Sequence, residues 1–201
     1  NAQGGGITVA DDDTTLENGS PNSLTIYGQS TGKTMGILYA SGGLYQSGIG
    51  GGNNSAGGTV TINGGEVHAV GYGSGAGIGG GDRGTGSDIT ISGGEVKATG
   101  GENGAGIGGG CYRDGNNITV SGDAKLKVQG GVEDDTDGAG AGIGNGGSNA
   151  YGSQIPGAEV EPDTSGLTTG WIEYYAPGAD MEKDKPTSTT VGASSQPEKP
   201  T

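Results

Sequence analysis

The chain has 201 residues, of which 51 are Gly and 7 are Pro, and only 28% are hydrophobic. One Trp, eight Tyr and no Phe leave too little bulk for a thick layered core, because each ordered Gly costs about 0.5–1 kcal/mol relative to Ala. Nine Lys and Arg against 23 Asp and Glu give a net charge of −14, which excludes the basic stripe that nucleic-acid recognition requires. Apolar runs of a few residues exclude a membrane-crossing helix. The lone Cys111 excludes an internal disulfide and reads as a free loop thiol, and without CxxC or a His/Cys cluster no zinc site is expected. The chain starts at Asn1 with neither an initiator Met nor a signal sequence, as a processed protein or an excised fragment would.

In chain order, the first β-like tetrapeptides are GITV at Gly6–Val9 and SLTI at Ser23–Ile26, separated by a polar stretch, Ala10 to Pro21, that reads as an end cap. Then a unit repeats. QSGIGGG at Gln46–Gly52 returns as GAGIGGG at Gly75–Gly81 and Gly104–Gly110, and as GAGIGNG at Gly140–Gly146. Ile49, Ile78 and Ile107 are spaced by 29, and Ile143 follows after 36 because the acidic insert Glu133–Asp137 intervenes. Thr61, Thr90 and Thr119, in TVTI, DITI and NITV, keep the same period of 29. Two markers sharing one period of this length are the signature of a solenoid.

Within a unit the pattern alternates with period two, which predicts strands. Val60 and Ile62, Ile89 and Ile91, and Ile118 and Val120 point inward on the Thr strand. After a turn at Gly64-Gly65 or Gly93-Gly94, a second strand turns Val67 and Ala69, Val96 and Ala98, and Leu126 and Val128 inward, the last pair shifted by one residue as a bulge would do. The glycine motif is a third strand, with Ala76 and Ile78, Ala105 and Ile107, and Ala141 and Ile143 inward. The prediction is all-β: a right-handed parallel β-helix of about five coils over residues 1–177, closed by Ala158 to Pro177 at its far end. Residues 178–201, rich in Lys, Pro, Ser and Thr, read as a flexible linker to a neighbouring domain or a cell-wall anchor.

GAGIGG matches GxGxxG, but no helix follows it and it recurs, so no nucleotide is expected. The outward glycines Gly75, Gly77 and Gly79 predict a face without side chains, either a platform for a partner or a surface covered by a later segment such as Trp171 to Tyr175. The second strand exposes a charged grid: Glu66, Glu95 and Lys125 in one column, His68, Lys97 and Lys127 in the next. Glu95 over Lys125 is favourable, whereas Lys97 over Lys127 is repulsive unless an anion bridges them. These six residues are the candidate carbohydrate site, acidic sugars being one such anion. Oxygen-rich turns supply Asp82, Asp88, Asp114 and Asn117, and the insert supplies Asp134, Asp135 and Asp137, as candidate calcium ligands. The Thr column also suggests an ice-binding rank, but its neighbouring column, Ser23, Thr59, Asp88 and Asn117, interrupts the pairing that such a surface requires.

GAGIGGG followed by ITISGGEVKATGG resembles the Gly-rich repeats of secreted and cell-surface proteins from gut and cellulolytic Firmicutes. It is also similar to β-helical carbohydrate-binding domains related in fold to pectate lyases, in which an Asp-Gly-Ile tripeptide often begins the third strand. Ala76, Ala105 and Ala141 stand at that Asp position here. The resemblance, over about Thr25 to Gly147, implies an extracellular, secreted or surface-attached module that takes polysaccharide or a host glycan as partner. A non-enzymatic binding module, adhesin or stalk is the leading expectation; a lyase acting on acidic polysaccharide and a plain structural spacer are the alternatives.

Overall fold

The computed structural model describes residues 6–9, 22–28, 36–86 and 88–193. Three parallel sheets run along the solenoid, each built from one strand per coil. The Thr sheet stacks Ser23–Ile26, Thr59–Ile62, Ile89–Ile91 and Ile118–Val120. The charged sheet stacks Ile37–Ser41, Glu66–Val70, Glu95–Thr99, Lys125–Gln129 and Trp171–Tyr175, and Ser188–Val191 then joins it antiparallel. The third sheet is made of dipeptides: Ile7–Thr8, Ile49–Gly50, Ile78–Gly79, Ile107–Gly108 and Ile143–Gly144. Like residue lies on like, with Val60↔Ile89, Val67↔Val96 and Ile78↔Ile107 in register. This is a parallel β-helix, and its core is the column of Ile, Val, Leu and Ala between the three sheets.

Several expectations change. Ile7–Thr8 belongs to the dipeptide sheet, pairing with Ile49–Gly50, and is not an early Thr strand. The one-residue shift before Leu126 is not a strand bulge. Lys125–Gln129 keeps register with Glu95–Thr99 throughout, and the extra residue sits in the preceding turn, where Gly122 adopts φ +63°. Ala76, Ala105 and Ala141 are buried but lie outside the core cluster. The chain pinches shut around each dipeptide, with Ala76 N donating to Gly80 O (2.9 Å) and Ala105 N to Gly109 O (3.0 Å). That closure leaves the Ile as the side chain delivered to the core.

The glycine face is neither a platform nor the seat of Trp171. Gly75, Gly77 and Gly79 are buried, and a Cβ on Gly77 would lie 2.6 Å from Gly106 O and 2.8 Å from Thr99 O. The pinched loop therefore presses its backbone directly against the end of the charged strand of the next coil. Only at the last rung does Gly142 face a side chain, that of Tyr174. The glycine of each dipeptide has a second requirement, since Gly79 and Gly108 hold φ +131° and +138°, a conformation few L residues adopt.

The far end closes with one more coil. Asp163 bridges to Thr119 and Leu167 to Gly122, both in parallel, before Trp171–Tyr175 pairs with Lys125–Gln129. The alternation of WIEYY, with Ile172 fully buried and Tyr174 packed against the core, fits the same slot as KLKVQ. Where lower coils donate Gly106 N to Ala141 O and Ile107 N to Gly142 O, the added coil, among the described residues, stacks no parallel dipeptide strand on Ile143–Gly144. Glu159 substitutes, its Oε1 accepting from Gly142 N (2.7 Å) and its Oε2 from Ile143 N (3.0 Å). Glu159→Ala strands these two donors, and at about 1–3 kcal/mol per buried unsatisfied group urea denaturation should show a loss of about 2–6 kcal/mol. The other proposed cap, Ala10 to Pro21, lies outside the described residues.

Composition placed residues 178–201 in a linker. As far as Ala193 the chain is instead ordered against the solenoid: Thr190 pairs with Ile172 and Thr189 with Glu173, and Met181 is 4% exposed. Unpaired hydrogen-bonding groups on the edge strand Trp171–Tyr175 supply the drive, because a β edge is most easily satisfied by another strand.

Candidate functional site

The outward side chains of the charged sheet form two columns. The first runs Ile37, Glu66, Glu95, Lys125, Trp171 and the second Tyr39, His68, Lys97, Lys127, Glu173. All six residues of the sequence-derived grid fall in these columns because their strands pair without a slip. Glu66, His68, Glu95, Lys97, Lys125 and Lys127 line one open cleft of about 170 Å3 together with Trp171 and Glu182. Lys125 Nζ lies 3.0 Å from Glu95 Oε1, and His68 Nε2 lies 2.7 Å from Glu66 Oε1. The His68 ring packs on Tyr39, with centroids 4.7 Å apart and planes at 46°.

The repulsive pair is bridged from within. Glu182 places Oε1 at 3.2 Å from Lys97 Nζ and Oε2 at 3.2 Å from Lys127 Nζ. Hydrogen bonds and charge from the two lysines hold its carboxyl below the usual glutamate range. Lys127 Nζ also donates to Met181 O at 2.9 Å.

Three site residues were missed in the sequence. Trp171 and Tyr39 carried a usable signal, since WIEYY and ILYAS show the same inward alternation as EVHAV and so belong in the same columns. Glu182 carried none. It sits outside the repeat, in a stretch whose composition reads as linker.

The proposed calcium ligands do not form one oxygen shell. Asp82 and Asp137 share a polar cavity of about 350 Å3 with Arg83, Tyr45 and Tyr112, where Tyr112 Oη donates to Asp137 Oδ1 and burial pushes the Asp82 carboxyl up against the opposing pull of Arg83. Asp88 accepts from Asn117 Nδ2 at 3.2 Å, and both line a trough beside the Thr column with Glu161 and Asp163. Asp134 Oδ1 accepts from Thr136 N and Asp137 N, both at 2.7 Å, which lowers its pKa. Asp114 and Asp135 are exposed on their own turns. Among the described residues, no three of His, Cys, Asp and Glu converge as metal ligands. Cys111 is free but 2% exposed, and its thiol donates to Gly147 O at 3.1 Å. Burial, aided by Asp137 and Asp82, pushes it up to about 12, so it carries almost no thiolate at neutral pH.

Among known proteins, the beta helix repeat family model matches residues 60–82 and 89–111. Each match starts in a Thr strand, crosses the charged strand and ends just past the glycine motif, so the two are successive coils. No curated protein and no solved structure matches the chain. By these two repeats and by the register of its stacked parallel sheets, the chain is a β-helical repeat protein.

Proposed function

We propose that this β-helix is an extracellular, non-enzymatic module that binds carbohydrate on the outer face of its charged sheet, serving as the recognition part of an adhesin or stalk. One observation carries the reading: the cleft joins an aromatic ring, Trp171, to a grid of three carboxylates, three lysines and a histidine. Sugars are held by that mixture, in which a ring packs on the apolar face of the pyranose while charged groups take the hydroxyls and acidic substituents. The rigid sheet sets the spacing of these groups, so little ordering is required on binding.

Lysines that abstract a proton, as the lyase reading needs, must be free to act as bases. Lys97 and Lys127 instead both donate to one carboxylate, that of Glu182, which is the role that binding an acidic sugar requires.

Trp171 is the single tryptophan of the chain, so its emission reports directly on the cleft. A glycan screen followed by fluorescence titration is expected to show saturable binding, and isothermal titration calorimetry, which needs no tryptophan, is expected to show Trp171→Ala weakening it about tenfold or more, in line with the energy of aromatic contacts. A screen without any ligand would favour the plain spacer. Release of unsaturated product from polygalacturonate would establish the lyase instead.

A further inference from the structure

Lys97 and Lys127 stand on adjacent rungs, about 4.8 Å apart in the strand-pairing direction, where two like charges repel. The chain resolves this with a carboxylate taken from far along the sequence. Glu182 spans both amines symmetrically, one oxygen to each at 3.2 Å. It approaches from the solvent side: its side chain is 62% exposed, against 30% for Lys97 and 27% for Lys127.

The segment that carries it is a strap across the outer face of the charged sheet, and its two parts differ. At the root, Gln129, itself 5% exposed, donates Nε2 to Ala176 O (2.7 Å) and Ala179 O (2.8 Å); in the tip Met181, beside Glu182, is buried. The tip is a self-contained turn in which Asp180 N donates to Asp184 Oδ2 (2.8 Å), Glu182 N to Asp180 Oδ1 (3.0 Å) and Lys183 pairs with Asp180. Beyond the sheet lysines, the tip makes its polar contacts with itself. Exposed ion pairs of this kind are individually weak, so the Glu182 side chain can swing off the lysines while Met181 and the root stay in place.

We propose that Glu182 is an internal stand-in for a ligand carboxylate, so that the strap Ala176–Asp184 closes an anion subsite at Lys97 and Lys127 that a carboxylated oligosaccharide opens by displacing Glu182. The inference rests on the carbohydrate-binding reading and specifies both the ligand's charge and the regulation of the site. The cleft supports it. With Glu182 as one wall it encloses about 170 Å3, below the roughly 300 Å3 at which small-molecule sites begin. Moving the carboxylate away enlarges the cleft on the side where the two amines wait. A neutral sugar offers them nothing in exchange, whereas a uronate supplies the same two oxygens.

The test compares the full chain with its Glu182→Gln variant, using a galacturonate trisaccharide and a galactose trisaccharide as probes and Trp171 emission as readout. Glu182→Gln is expected to bind the acidic probe at least tenfold more tightly than the unaltered chain does, with the neutral probe unchanged, and Lys127→Gln in the same background should abolish the gain. Equal affinity of both proteins for the acidic probe, or an equal gain for the neutral one, overturns the stand-in while leaving carbohydrate binding in place. If neither protein binds any glycan, both readings fall together. Amide exchange without ligand gives an independent check: Glu182→Gln should speed exchange at Glu182 and Lys183 while Lys125–Gln129 stays protected and the melting temperature stays close to that of the parent. Unchanged exchange at the tip would show that Glu182 does not hold the strap.

Discussion

Replacing Gly77 and Gly106 together by Lys is expected to abolish the cooperative unfolding transition, whereas Gly52→Lys should melt close to the parent. At Gly77 and Gly106 even a methyl group would sit 2.6 Å from the next coil's carbonyl oxygen and 2.8 Å from the end of the adjoining charged strand. Neither obstacle is a flexible side chain, so the backbone itself must move. A lysine adds a charge with no route to water, and the combination exceeds the roughly 4–5 kcal/mol that marks the most damaging single changes. That is comparable with the whole stability of an ordinary domain, about 5–15 kcal/mol. Gly52 is the control, because its Cβ direction meets nothing within 4 Å. Thermal melts followed by circular dichroism decide the matter; a folded double variant would show the glycine strand to be open after all.

Ile107→Ala should cost about 2–5 kcal/mol, the range for emptying a fully buried aliphatic site. Ile107 is 0% exposed and stacks in register with Ile78 on one side and Ile143 on the other. Its removal weakens two coil interfaces at once, and the stability of a solenoid is approximately a sum of such nearest-neighbour terms. Leu24→Ala, in the end rung of the Thr sheet where Leu24 is only half-buried, should cost about 1 kcal/mol or less. Guanidinium denaturation of the two variants compares them directly. Equal losses would contradict a stack in which interior rungs are supported from both sides.

The strap and the terminal clamp show where reading the sequence stops. The grid of Glu66, His68, Glu95, Lys97, Lys125 and Lys127 was legible because each residue holds a fixed place in a repeating strand, and parallel pairing without slip turns that place into a column. The repulsion between Lys97 and Lys127 was legible for the same reason. What neutralises it was not, since Glu182 lies outside any repeat and is brought to the lysines by a tail that Gln129 holds at Ala176 and Ala179 and that then adds Ser188–Val191 antiparallel to the edge strand Trp171–Tyr175. Glu159 was hidden likewise: a glutamate in a non-repeating segment gives no sign that it will replace a missing dipeptide strand's carbonyls. The misplacement of Ile7–Thr8 has the opposite origin. GITV satisfies the local alternation of a Thr strand, but its partner is chosen by the path of the coil, not by its own four residues.

Glycine, a quarter of the chain, separates the two kinds of information most clearly. Its recurrence with Ile49, Ile78 and Ile107 at a constant spacing is enough by itself to specify a solenoid, because equal periods force equal residues to stack and every coil to pair with its neighbours. Alternation within the unit specifies which side chains fill the core. Why the outer positions must be glycine was decided only in three dimensions, where the pinch closed by Ala76 N and Gly80 O brings one backbone against another with no space for a Cβ. Periods encode contacts between repeats; the approach of unlike strands across a coil, and the fit of a tail that does not repeat, depend on distances that no spacing in the sequence contains.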